Sequence, residues 1–286
     1  MDIIPQINKK TRYPSEIEVS PYLRVHHLEG KVILPAVEAL IALAKVVKLH
    51  FPQIRINSLF KASFPRFLFI APETERLAVW VDIENAGKDR VAAALLTSME
   101  SKTGGIRRAL EHARVEFATD DSAPCPAAPF RVMEKLGGRC IRVPAAAIYR
   151  DLVPFGTAYQ NILGEVALSP EGALAHLSGG NYEADENLLG SPFPLDVAMH
   201  AACVWGQRFS GMVAFPTGFE KRFIYQKTKK GGSYLGRVVP VNSDQKSLVF
   251  DAWIYGADGI IHEAISGIKM QDVTQGRLHP PQWIRA

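Results

Sequence analysis

The longest apolar pattern of the sequence follows Pro35 and extends over residues 36–51. Pro35 suits the first turn of a helix, where a missing N–H costs nothing. The only charged residues of this segment are Glu38, Lys45 and Lys48, and at 100° per residue they fall in one sector of roughly 80°. The pattern therefore predicts a long helix that other structure covers on most sides.

A second apolar segment of the same kind, SPFPLDVAMHAACVWGQRF, occupies residues 191–209. Short alternating runs, which are typical of strands, accompany both helices. In the first half they are residues 16–25, 54–64, 65–71, 77–86, 90–101 and 106–118, with a hairpin turn at 102–105. In the second half they are residues 140–152, 159–179, 220–241 and 246–273, and residues 130–136 are predicted as a short helix.

This order of elements suggests an internal structural duplication, although no residue-by-residue repeat is visible. Residues 119–129, TDDSAPCPAAP, have no periodicity and are predicted to link the two halves. The predicted organisation is an amino-terminal half at residues 1–118, the linker, and a carboxy-terminal half at residues 130–286. The fold class is α+β, in which an antiparallel sheet wraps a long buried helix twice.

Composition narrows the function classes. Of the 286 residues 47% are apolar and 22% charged, as in ordinary globular proteins. A formal charge of +4 and a pI near 8.9 disfavour nucleic-acid binding but would suit an acidic partner. The three cysteines lack CxxC spacing, which disfavours disulfides and zinc and favours a reducing cytoplasm. Neither a signal peptide nor a membrane span is expected. The initial Met and the carboxy-terminal HPPQWIRA favour a discrete protein.

The first candidate for chemistry is His26, which precedes Gly30 by four residues and Pro35 by nine. A His and a Gly at the mouth of a helix lie where backbone N–H groups are unpaired and the dipole favours negative charge, so an oxyanion could bind there. Neighbours on an extended chain point to opposite sides. Only one of His26 and His27 is therefore expected to face the helix, and metal binding by the pair is disfavoured.

The second helix carries a polar row of Asp196, His200 and Gln207 within about 40° of one another. Asp196 lies in the first turn and His200 one turn later, whereas Gln207 is about 16 Å further along the axis. In the simplest interpretation Asp196 caps the helix and His200 is a satisfied core residue. If the two helices pack side by side, however, His26 and Asp196 could face each other across a groove.

These residues belong to four motifs that occur together in one known family. His26, Gly30 and Pro35 match HxxxGxxxxP, and Asp196 with His200 matches DxxxQ/H. PFGTAYQNI at residues 154–162 is similar to YGxxFQ, with Phe155 and Tyr159 exchanged in aromatic order. FPTGF at residues 215–219, which includes Gly218, is similar to LPxxG. In this order, over about residues 20–270, the sequence resembles polyketide synthase dehydratase domains, which are double hotdog folds.

The resemblance implies dehydration of a β-hydroxyacyl thioester held on the phosphopantetheine arm of an acyl carrier protein, in polyketide or fatty acid biosynthesis. His26 would match the base that removes the α-proton, Asp196 the acid that protonates the leaving hydroxyl, and His200 would orient Asp196. Such an acid must hold its proton, and apolar neighbours such as Leu195 and Met199 could help. Backbone donors near Gly30 are candidates for the enolate. No metal and no organic cofactor is implied.

The chain departs from the motif at Phe155, where a Tyr is usual, so a hydroxyl is lost unless Tyr159 replaces it from another direction. Gly156 lies between them; ordinary aromatic packing is the alternative for the pair. A basic cluster near a predicted hairpin could meet an acidic carrier, or could simply be solvated: Lys221, Arg222, Lys227, Lys229 and Lys230. Five histidines stay unassigned: His50, His112, His176, His262 and His279.

Two other functions fit the same motifs. The His base could enolise a poly-β-keto chain, as in product-template cyclases, or shift a double bond. A double hotdog without activity could instead bind acyl chains. Substrate chain length, branching and stereochemistry depend on a pocket shape that the sequence does not define, and a homodimer through an exposed amino-terminal strand stays open.

Overall fold

The structure is a computed structural model that describes residues 10–87, 89–100, 107–118, 128–182, 188–243 and 247–285. The strands of the first half are β1 (Thr11–Glu18), β2 (His27–Leu28), β3 (Lys31–Val32), β4 (Ser58–Ser63), β5 (Arg76–Asn85), β6 (Arg90–Glu100) and β7 (Arg107–Ala118). Those of the second half are β8 (Ile141–Pro144), β9 (Ile162–Ser169), β10 (Gly172–Ser178), β11 (Phe215–Ile224), β12 (Ser233–Ser243), β13 (Ser247–Gly256) and β14 (Ile261–Gln271).

The α-helices are α1 (Ala36–His50), α2 (Ala145–Ala147), α3 (Phe193–Phe209) and α4 (Gln282–Arg285). Short 3-10 segments cover Pro21–Val25 and Thr157–Tyr159, and a π-turn covers Ile148–Leu152. The two long helices are the ones that the apolar pattern predicts. Their buried faces explain the pattern, since 15 of the 17 residues of α3 are buried.

Twelve of the strands form one antiparallel sheet in the order β1-β5-β6-β7-β4-β11-β14-β13-β12-β10-β9-β8. The first five strands of this order curve around α1, and the other seven curve around α3. In β5 the alternate residues Val79, Val81 and Ile83 are buried against the helix, as a half-buried strand requires. The architecture is therefore two helix-and-sheet units fused edge to edge, as in a double hotdog.

The junction between the two units is the pairing of β4 with β11, where Gly218 stands opposite Ser63. A Cβ atom on Gly218 would lie 2.2 Å from the carbonyl oxygen of Ala62. A side chain at this position would therefore push the two strands apart. Helices α1 and α3 also contact each other across the junction, so one core serves both halves.

Several of the sequence predictions are wrong in detail. The segment 145–152 is helical rather than extended, because Pro144 precedes three alanines and the chain turns there. The expected helix at 130–136 is absent, and Arg237 binds the carbonyls of Met133 and Lys135 in this irregular segment. Residues 21–25 form a 3-10 turn instead of a strand, and 65–71 contribute a single β-bridge, Ile33 with Phe69.

Other predictions lie partly or wholly outside the described residues. They are the hairpin turn at 102–105 and most of the linker at 119–129. The boundaries of the two halves at residues 118 and 130 accordingly stay predictions. Within the described part of the chain, no helix combines the length and apolar character that crossing a bilayer requires.

Candidate active site

A cavity of about 610 Å³ lies between the two halves, beside the first turns of α1 and α3. Residues of both halves line it, and most of them are apolar, such as Leu34, Leu95 and Met199. Five of the nine residues singled out from the motifs are in its wall: His26, Gly30, Phe155, Asp196 and His200. The motifs are thus far apart in sequence but meet in one place.

The backbone on both sides of His26 holds this residue in place. The residue follows the 3-10 turn and leads into the β2–β3 hairpin, whose two-residue loop is Glu29–Gly30. Both loop residues have positive φ, 48° and 76°, which the tight hairpin turn requires and which Gly30 adopts without strain. The N–H of Ile33 donates to the carbonyl of His26 at 3.0 Å, closing the base of the hairpin.

The His26 ring is held by one polar contact and two aromatic contacts. Its Nδ1 atom lies 3.1 Å from the carbonyl oxygen of Ile33. A carbonyl only accepts, so this contact needs the proton on Nδ1 and leaves the lone pair on Nε2. Phe155 stacks on the ring at 4.1 Å, and Tyr159 meets it edge-on at 4.8 Å. The neighbouring His27 is exposed, but it also contributes to the wall of the cavity.

Burial sets the protonation of His26. The residue is 6% exposed, and burial lowers its pKa to about 4, although the nearby Asp196 carboxylate opposes that shift. His200 lowers the pKa further. The imidazole is therefore neutral near pH 7 and can accept a proton.

Asp196 and His200 lie one turn apart on α3, and both are buried. Nε2 of His200 is 3.0 Å from Oδ2 of Asp196, close enough for an ion pair but not aligned as a hydrogen bond. The N-cap of α3 is Pro192, and among the described residues no helix N–H donates to the Asp196 carboxyl group, so the capping interpretation does not describe it. The ring of Phe155 lies 5.2 Å from the His200 ring and thus contacts both His26 and His200.

Comparison with known proteins gives one family match. Residues 142–280, just under half of the chain, match the model of the polyketide synthase dehydratase N-terminal domain, and over these residues the chain is similar to that family. No curated protein matches this sequence.

Several solved structures share the fold of this chain. An inactive histidine-to-phenylalanine mutant of the CurJ dehydratase, in complex with compound 21, has a TM-score of 0.73 at 15% identity, covering 93% of this chain and 92% of that chain. A monomeric dehydratase domain from a trans-AT polyketide synthase split module has 0.72 at 13%, covering 92% and 99%. A trans-AT dehydratase domain from Brevibacillus brevis has 0.70 at 15%, covering 92% and 93%. These matches confirm the double hotdog fold.

Four motif residues, Pro35, Gly156, Tyr159 and Gly218, lie outside the cavity wall and support it from behind. Pro35 caps α1 with its carbonyl, which accepts the N–H of Ala39 at 3.1 Å. Gly156 donates its N–H to the carbonyl of Val25 at 2.9 Å, and a Cβ on it would lie 2.4 Å from the Val25 Cβ. This close approach holds the loop of Phe155 against the segment that carries His26. Gly218 lies at the junction between the halves, where β4 and β11 pair closely.

Tyr159 is the fourth of these residues. Its side chain is fully buried behind His26, and burial raises the pKa of its hydroxyl. Within the described residues that hydroxyl has no hydrogen-bond partner. Tyr159 does not line the cavity, so its hydroxyl does not replace the one that the motif usually has at residue 155. At this point the cavity wall is the ring of Phe155, which carries no hydroxyl group.

Among the residues of the cavity wall that the sequence does not single out are Arg66, His112 and Cys203. His112 has no partner by sequence spacing, so the sequence does not assign it a role. Leu95 pairs with Ala113 and Leu96 with Glu111, so His112 is the extra residue of a β-bulge. A bulge re-aims a side chain without leaving a mark in the periodicity. Its Nε2 lies 2.8 Å from the Thr97 hydroxyl, and burial lowers its pKa.

Two other expectations concern charge. Arg222 is not part of an exposed basic cluster, because it is buried and paired with Glu263 at 2.8 Å, whereas Lys221, Lys227, Lys229 and Lys230 are exposed. Among the residues that the structure describes, no group of three or more His, Cys, Asp or Glu side chains could hold a metal ion.

Proposed function

We propose that the chain removes water from a β-hydroxyacyl thioester held on a carrier protein, giving the α,β-enoyl thioester, with His26 as base and Asp196 as acid. The observation that carries this proposal is the shared cavity, which His26 lines from the first half and Asp196 from the second. The similarity of residues 142–280 to the dehydratase family model supports it.

The tautomer and the fixed orientation of the His26 ring suit a general base. Its Nδ1 is engaged by the Ile33 carbonyl, so Nε2 is the atom that accepts the α-proton. The apolar cavity removes competing water, which strengthens each electrostatic contact with a bound thioester. Stacking on Phe155 limits rotation of the ring, and a positioned base is what makes proton transfer efficient.

The reaction balances with these two groups. Nε2 of His26 takes the α-proton, and the electrons of that C–H bond pass to the thioester carbonyl as an enolate. These electrons then form the new Cα=Cβ double bond as the Cβ–O bond breaks, and the carboxylic acid of Asp196 protonates the departing hydroxyl, which leaves as water. His200, 3.0 Å from the carboxyl group, positions Asp196, and a backbone N–H at the Gly30 turn is a candidate donor to the enolate.

Two further observations fit this proposal. One similar structure is described as an inactive mutant in which phenylalanine replaces a histidine. In the described residues Cys140 and Cys203 carry free thiols, which suits a reducing cytoplasm.

Mass spectrometry tests the proposal. A carrier protein loaded with a β-hydroxyacyl chain should lose one water when it is incubated with the pure protein. His26→Ala and Asp196→Asn should each lower the rate at least about 100-fold, the range of a lost general acid or base. His176→Ala and Asp89→Asn are matched controls, because both side chains are exposed and away from the cavity.

Other products would decide between the alternatives. A shifted double bond in a preformed enoyl chain would indicate isomerisation, and an aromatic product from a poly-β-keto chain would indicate cyclisation. Failure to convert any of these thioesters, with a folded protein, would reject an enzymatic role.

A further inference from the structure

One positively charged side chain of the cavity wall, that of Arg66, has no ion-pair partner among the described residues. The wall contains three charged side chains besides its histidines, namely Glu29, Arg66 and Asp196. Glu29 is paired with Arg277, whose Nη2 and Nε lie 3.0 and 3.2 Å from its two carboxylate oxygens. Asp196 lies beside His200. Arg66 forms no ion pair with a described carboxylate, and it is the wall's only Lys or Arg among the described residues.

The position of Arg66 is as informative as its charge. His26 and Asp196 are buried, 6% and 7% exposed, whereas Arg66 and its neighbour Pro65 are exposed. Arg66 therefore stands where the cavity opens to solvent, with the proposed acid and base inside. A thioester that reaches His26 must leave the rest of its arm extending through this opening.

The surface around Arg66 is aromatic and positive. Phe67 packs against Phe69 and Phe215 at 6.4 and 6.2 Å, and the Nζ atom of Lys31 lies 5.5 Å from the centre of the exposed Phe69 ring. With Glu29 neutralised by Arg277, this part of the opening favours an anion on an otherwise uncharged, slender ligand. A guanidinium suits a phosphate because it offers several donors in one plane.

We propose that Arg66 binds the phosphate of the phosphopantetheine arm while the acyl thioester lies at His26 and Asp196. This inference rests on the proposed function, since it takes the substrate to be carried on such an arm. It adds the residue that would distinguish a carrier-bound substrate from a free thioester.

The test compares two ligands that differ only in the phosphate. Butyryl phosphopantetheine and butyryl pantetheine lack a β-hydroxyl, so their binding can be measured by calorimetry without turnover. The wild-type protein should bind the phosphorylated ligand about tenfold more tightly, and Arg66→Ala and Arg66→Gln should abolish most of that preference. Arg66→Lys should keep part of it. The preference should also shrink with added salt, because the contact is exposed.

Arg139→Ala is the matched control, since Arg139 is exposed and outside the cavity wall. It should keep the wild-type preference. The inference is overturned if the wild-type protein shows no preference for the phosphorylated ligand. It is also overturned if the Arg66 variants, shown to be folded by an unchanged melting temperature, retain that preference. Loss of dehydration in the mass-spectrometric assay with the phosphate preference intact would reject the proposed reaction instead, so the two failures are distinguishable.

Discussion

At the scale of single residues, the environment of His26 decides what the candidate site can do. A neutral imidazole is needed to accept a proton, and burial between Phe155 and Tyr159 keeps it neutral near pH 7. The same burial makes protonation expensive in the folded protein. The acid–base behaviour of this residue is therefore linked to stability as well as to reactivity.

The first prediction concerns pH and stability. The folded-state pKa of His26 is about 4, below its value of 6.5 in an unfolded chain, so acid favours unfolding. The stabilisation is fully present above about pH 6.5 and is lost as the pH falls towards 4, by up to about 3 kcal/mol. Urea titrations at several pH values should show a smaller loss in His26→Gln than in wild type.

His112 also contributes to the loss of stability in acid, because burial lowers its pKa too. This contribution remains in the His26→Gln variant. His176→Gln serves as control because that side chain is exposed. It should reproduce the wild-type dependence on pH. An identical dependence in His26→Gln and wild type would contradict the assignment of this residue as a buried neutral base.

At the scale of elements, the β4–β11 pair determines whether the two halves can share a site. Strand β4 follows α1 in the chain, and β11 follows α3. Their pairing brings the first turns of the two helices together. Gly218 permits the close approach of these strands, because Ala62 leaves no room for a Cβ atom. The active-site geometry therefore depends on a residue that does not line the cavity.

Gly218→Ala should accordingly destabilise the protein by about 2–4 kcal/mol, since the clash is with backbone that has no way to move aside. The free energy of unfolding in urea measures this change. Gly211→Ala is the control, because a Cβ there meets no atom within 4 Å. That control should cost only about 1–2 kcal/mol for its left-handed backbone. Equal effects of the two substitutions would mean that the close approach does not matter.

At the scale of the whole molecule, the two halves form one structure rather than two independent domains. One sheet runs through both, α1 contacts α3, and the largest cluster of buried residues includes side chains of both halves. A cavity at their boundary keeps its shape only while both halves are folded. Stability and activity should therefore be lost together.

We expect a single unfolding transition. Trp80 reports on the first half, and Trp205 and Trp253 report on the second. Variants that retain one of these tryptophans should give the same denaturation midpoint, and the calorimetric and van't Hoff enthalpies should agree. Two separated transitions would show instead that each half folds alone.

The sequence was sufficient wherever the deciding interactions are local or repeat with a period. The long apolar runs predicted α1 and α3, because a helix buried on most sides needs apolar residues all around it. The alternating runs predicted most of the strands, and the order of four motifs led to the family and its fold. Residues 130–136 are a failure of this approach, because the irregular segment found there is held by a distant residue, Arg237, which binds the carbonyls of Met133 and Lys135.

The tertiary structure decided everything that depends on contacts between distant segments. Which of His26, Asp196, Phe155 and Tyr159 share a cavity follows from how two halves pack, and no periodicity carries that information. The β-bulge that turns His112 towards the cavity depends on the neighbouring strand, and so does the ion pair of the buried Arg222 with Glu263. The sequence alone determined the elements and the chemical groups available, because these reside in single segments. Their assembly into one site belongs to the fold, because it requires residues far apart in the chain to meet.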